Sequence, residues 1–75
     1  MNQVQKTISD FVMKNVKDGK QAEAQALLDE AFAKQESGGL NTAYLMGAVP
    51  KLLGVLNPES AMKAKDMLMN LRNQG

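Results

Sequence analysis

The side chains able to carry chemistry in this chain are nine Lys/Arg, eight Asp/Glu and one tyrosine, Tyr44; there is no His and no Cys. Without His, no side chain has an ordinary pKa near neutrality for passing protons, and neither a Ser-His-Asp nor a Cys-His relay can be assembled. Without His or Cys, structural zinc would have only carboxylates to hold it, which is not how such sites are built. Lys or paired carboxylates could still act as acid or base, but 75 residues offer little room for a pocket that excludes water. The charged residues are instead spaced as helix-surface pairs. Asp10 and Lys14, and likewise Glu30 and Lys34, stand four apart in the order that favours an ion pair along a helix. No enzyme activity, no cofactor and no metal is expected.

What the sequence supplies in place of catalytic residues is methionine, six in all. Met13 falls opposite the apolar stripe Val4, Ile8, Phe11. Met62 and Met69 lie one heptad apart, off the stripe Ala61, Ala64, Leu68. Exposed thioethers are flexible and polarisable, which suits adaptable binding surfaces. Met13, Met62 and Met69 are therefore the candidate interaction surface. The plainer assignment places them at the edge of a wide core stripe, since single exposed apolar residues are ordinary.

The elements that must position these residues are all helical. Val4, Ile8, Phe11, Val12 and Val16 recur on one helix face and predict a first helix over 3–17, capped by Asn2 with Gln5 in the capping-box position. Asp18-Gly19 is expected to end it, and Asp18 to cap a second helix over 20–36 with Gln21 completing a box. That helix has the stripe Ala24, Leu27, Leu28, Ala31, Phe32. Ser37-Gly38-Gly39 is the clearest break in the chain. A third helix, 42–56, is predicted from the cap Asn41, with Leu40 and Leu45 as a hydrophobic staple. It is apolar on most sides, including Met46, and only Gly47, Lys51 and Gly54 form a narrow polar or close-contact strip. Such a helix is expected at the centre of a bundle, kinked where Pro50 removes a backbone donor. Asn57-Pro58-Glu59 starts a fourth helix over 58–73 with the core stripe Ala61, Ala64, Met67, Leu68, Leu71, and Gln74-Gly75 is expected to fray. The fold class is thus all-α: one domain spanning 1–75, with helix pairs 3–36 and 42–73 as two αα-hairpins in a compact bundle.

Charge and hydropathy narrow the partners. The formal net charge is +1. Residues 1–39 hold five Lys and six acids, and residues 40–75 hold four Lys/Arg and two acids, so no basic block marks a nucleic-acid footprint. A helix-turn-helix built around 37–40 would present a recognition helix beginning Asn41-Thr42-Ala43-Tyr44 with one Lys and no Arg for phosphates or bases, and burial of Leu45, Val49 and Leu52 is the better use of it. No run of about 20 apolar residues exists to span a membrane. Neither nucleic acid nor membrane is expected as a partner, and the cytoplasm is the expected compartment.

A domain of this size buries only about 60–65% of its unfolded surface, and without Cys it has no disulfide to add. Regular packing and oligomerisation remain as supports. The expected function is a small non-enzymatic interaction or regulatory module that self-associates as a homo-oligomer, or else binds another protein. A second reading treats the chain as a precursor. Ser37-Gly38-Gly39 resembles the end of double-glycine bacteriocin leaders, which would release 40–75 as a membrane-active peptide by cleavage after Gly39. Glu36 stands where such leaders carry an apolar residue. A third reading is weak nucleic-acid binding.

Overall fold

Asn2 Oδ1 accepts a hydrogen bond from the Gln5 amide at 2.8 Å, and Gln5 Oε1 accepts one from the Asn2 amide at 3.3 Å. This reciprocal box opens the first of four helices in the computed structural model, which describes residues 2–74: α1 (Gln3–Lys14), α2 (Gln21–Ser37), α3 (Thr42–Val55) and α4 (Pro58–Gln74). Gln74, expected to fray, is the last residue of α4, and Gly75 lies outside the described residues. Asn41 caps α3 by accepting from the Tyr44 amide at 2.9 Å, and Leu40 and Leu45 are both buried beside that cap. α2 closes on Gly38, whose φ of 82° is the left-handed conformation glycine adopts without a Cβ clash. Pro58 is the first residue of α4, where its missing N–H costs no helix bond.

The helices form a closed ring. Each packs against its neighbour in sequence, and α1 packs on α4 to complete the circuit. Ile8 and Val12 of α1, Leu28 and Phe32 of α2, Leu45 and Leu52 of α3, and Leu68 and Leu71 of α4 meet in one core. α3 lies between α2 and α4, but its burial is one-sided. Leu45, Ala48, Leu52 and Val55 point inward, whereas Ala43, Met46 and Pro50 are exposed along with Gly47, Lys51 and Gly54. The expectation of a helix buried on most sides is corrected here: a ring of four gives each helix a single inner face. α3 runs on through Pro50. The Met46 carbonyl, which Pro50 cannot serve, belongs to this outer face, where water can satisfy it.

α1 is shorter than its apolar spacing predicts, ending at Lys14 with Asn15 as C-cap, not at Lys17. The reason is tertiary. Val16 forms an antiparallel bridge with Leu56. The Lys17 amide donates to the Val55 carbonyl at 2.8 Å, and the Asn57 amide donates to the Asn15 carbonyl at 3.0 Å. These bonds hold the α1–α2 loop against the α3–α4 loop and require extended chain where another helical turn would stand. Asn15 also joins the pair through its side chain, donating to the Phe11 carbonyl and accepting from Ser60 Oγ, both at 2.8 Å. Asp18 does not cap α2. Asp18-Gly19 is the turn itself, and Lys20 is the N-cap, with no side-chain cap bond. The two expected ion pairs are also replaced: Asp10 pairs with Lys6 at 2.9 Å, and Glu30 accepts from the Tyr44 hydroxyl.

At the opposite end of the bundle a polar thread crosses three helices. Gln5, only 2% exposed, donates through Nε2 to Gln35 Oε1 at 2.7 Å. Gln35 Nε2 in turn donates to the Leu71 carbonyl at 3.3 Å. Buried amides without partners cost about 1–3 kcal/mol, whereas replacing both partners with apolar groups of similar shape is close to neutral. Gln35→Ala is therefore expected to destabilise the fold by about 1–3 kcal/mol in urea unfolding, and the double change Gln5→Leu/Gln35→Leu by clearly less. A double variant as unstable as the single one would show that the thread contributes shape and not hydrogen bonding.

Candidate functional site

Each seam between neighbouring helices has a surface edge, and the ring closes these edges unequally. Gln5 and Gln35 bridge α1 and α2. Across the α2/α3 seam the Tyr44 hydroxyl donates to Glu30 Oε1 at 2.9 Å, and Lys34 Nζ stands 5.8 Å from the Tyr44 ring centroid. On the α1/α4 seam Lys63 Nζ lies 5.5 Å from the Phe11 ring centroid. A hollow of about 230 Å³ on that seam has Val4, Ile8 and Met67 inside and the neutral polar Gln3, Thr7 and Asn70 at its edge. The α3/α4 seam is closed at one end by Arg72 Nη1 donating to Thr42 Oγ1 at 2.7 Å. Beyond that bond it opens into a groove of about 270 Å³.

Helical spacing builds this groove. On α3, Met46, Val49, Pro50 and Leu53 fall at i, i+3, i+4 and i+7, one face of the helix. On α4, Met62, Lys65, Met69 and Arg72 fall at i, i+3, i+7 and i+10. The short connection through Leu56 and Asn57 makes the helices antiparallel, and the Arg72–Thr42 bond fixes their register. Met46, Val49 and Pro50 then share the groove with Lys65, Met69 and Arg72. The same register sets Leu53 level with Met62. Met46 is 74% exposed and Met62 is 62% exposed. Met46 lines the groove, and Met62 stands one turn before Lys65 on the same row of α4. At 270 Å³ the groove falls below the roughly 300–1,000 Å³ of small-molecule pockets, and its form is an open trough suited to side chains.

The three methionines singled out in the sequence are not brought together. Met62 is exposed, while Met69 is half-buried, packing on the core and lining the groove. Met13 is also half-buried against the core. It follows Gln5 by eight residues on α1, on the side facing α2, away from the α3/α4 seam. Met46, assigned by the sequence to a buried helix, is the most exposed large apolar side chain among the described residues. The signal for it was present: Met46, Pro50 and Leu53 form a second row beside the core row Leu45, Leu52, which only the position of α4 identifies as surface.

Nothing in the site resembles a metal centre: among the described residues no three His, Cys, Asp or Glu side chains converge. No described helix is long and apolar enough to cross a membrane. The Tyr44 hydroxyl has its pKa pushed up to about 12 by burial first, then by its hydrogen bond to Glu30 and by the Glu30 charge. The fold and the groove thus define a small four-helix protein with an open apolar groove on its α3/α4 seam. No family model matches the chain, and it has no match among curated proteins or solved structures.

Two outcomes are expected. Tyr44 is the sole tyrosine, so absorbance near 295 nm (an approximate phenolate band) titrates it alone. While circular dichroism shows folded protein, the midpoint should fall near 12, and Glu30→Gln should lower it part of the way towards 10.0, leaving the contribution of burial. Because the folded pKa is the higher one, the stability it contributes is present below pH 10 and is lost as pH rises towards 12. A folded-state midpoint at 10 would contradict the contact. Separately, Met46→Lys and Met62→Lys should each change unfolding stability by no more than about 0.5 kcal/mol, against about 2–5 kcal/mol for Leu52→Ala in the core. A core-sized loss at Met46 would mean that the groove is part of the packing and not a free surface.

Proposed function

We propose that the protein is a non-enzymatic protein–protein interaction module whose docking face is the α3/α4 seam. The observation that carries this reading is the pair of exposed methionines, Met46 and Met62, beside an apolar groove in a chain that has enough buried residues for a closed core without them. A long, flexible apolar side chain held in water contributes little to folding, and it adapts well to a partner surface. Self-association and binding of another protein are both forms of this function. On this reading the module works in the cytoplasm, whose reducing conditions ask nothing of a chain without Cys.

The precursor reading has less behind it. The bond after Gly39 lies in a folded turn, with the Gly39 amide donating to the Lys34 carbonyl at 2.7 Å and the Asn41 amide to the Gly39 carbonyl at 2.9 Å. Leu40, the first residue of the released piece, is buried in the core. Cleavage there would separate α3 and α4 from half of their packing partners.

A photo-crosslinking residue at position 62 tests the docking face in the cells that make the protein. An adduct of defined mass is expected from position 62. It should be absent from position 26, which is exposed on α2, and lost when Met46→Lys is added. Adducts equally abundant at 26 and 62, or none at 62, would count against the reading. The adduct mass separates copies of the 8.1 kDa chain from a different partner.

A further inference from the structure

We infer that the α3/α4 groove takes an amphipathic helix of another protein, one that carries carboxylates beside its apolar anchors. This rests on the seam being a docking face and adds what docks there. Lys65 and Arg72, seven residues apart on α4, both line the groove, and no Asp or Glu lines it. Among the described residues neither cation is in an ion pair. The bond from Arg72 to Thr42 uses one of the five donors of its guanidinium. The acids of α4, Glu59 and Asp66, form a separate exposed row. The groove is thus apolar along its length and cationic at two points one heptad apart, and a helix lying along it would meet those points with acids at i and i+7.

The length of α3 fits such a helix. α3 has 14 residues and is roughly 21 Å long, which accommodates about two heptads of a docked helix. A face that long and two helices wide covers about 400 Å². Either a docked helix or a second copy would bury at most about 800 Å² in total on such a face, the range of weak, transient contacts, so charge and not area chooses between them. A two-fold axis running across the groove would set Lys65 and Arg72 of one copy against those of the other, a like-charge juxtaposition that interfaces avoid. A separate helix sinks its anchors between α3 and α4 and brings the opposite charge.

The test uses the full chain, with its methionine methyl groups followed by NMR, and two synthetic helical peptides. Both carry Leu at i, i+3 and i+7; one has Glu at the flanking heptad positions and the other Lys. The Glu peptide is expected to shift Met46, Met62 and Met69 and to leave Met13 unmoved. Its binding should be about tenfold tighter than that of the Lys peptide and weaken with added salt. Lys65→Glu/Arg72→Glu should reverse the preference. Equal binding of the two peptides, shifts at Met13 as large as at Met46, or no binding by either would overturn the inference. So would shifts produced only by anionic phospholipid vesicles. Concentration-dependent shifts of Met46 and Met69 without peptide would indicate a second copy, overturning the acidic-helix partner while leaving the docking face in place. Absence of any crosslink at position 62 in cells would remove the docking face itself.

Discussion

The bundle depends on one contact between its two loops. Val16 and Leu56 face each other across an antiparallel bridge, flanked by the Lys17-to-Val55 and Asn57-to-Asn15 backbone bonds. Leu56 is fully buried beneath it. Neither αα-hairpin has enough apolar surface to fold alone at this length, so the relative register of the hairpins decides whether the core closes. The bridge sets that register at one end and the Gln5–Gln35–Leu71 thread sets it at the other. Asn15 serves both levels, ending α1 through the Phe11 carbonyl and receiving Ser60 from α4.

Once the register is set, the four seams are no longer equivalent. Three are spanned by side chains that are polar or cationic above aromatic rings, whereas the α3/α4 seam is spanned only at its Thr42–Arg72 end. Its remaining length is lined mainly by apolar side chains, Leu45, Met46, Val49, Pro50 and Met69, with Lys65 beside them. Pro50 contributes twice. It forms part of the groove wall, and it leaves the Met46 carbonyl without an intrahelical donor on the face that meets solvent.

Much of this was legible in the sequence because it is local. The Asn2–Gln5 box, the Asn41 cap, the Gly38 terminus and Pro58 at the start of α4 each rest on a few adjacent residues, and the apolar period gave all four helices. What was not legible is set by partners far along the chain. The end of α1 moved from Lys17 to Lys14 because residue 56 claims residue 16. Glu30 left its expected pairing with Lys34 because Tyr44 reaches it from the next helix. The docking face shows the same limit. Met62 was visible as an off-stripe residue, and Met69 with it. Met46, however, sits in a segment apolar enough to look buried throughout, and only the closing of the ring assigns it to the surface. Lys65 and Arg72 read as ordinary solvated charges until α3 is set beside them.

The central claim is that the isolated chain closes its core and leaves the α3/α4 groove with Met46 and Met62 in water. Limited peroxide oxidation of dilute protein, read by peptide mass spectrometry, tests it at individual thioethers, since oxidation follows exposure. The account expects Met46 and Met62 to oxidise fast and Met13, Met67 and Met69 to lag well behind. Equal rates at all five, or protection of Met46 at the level of Met67, would contradict it.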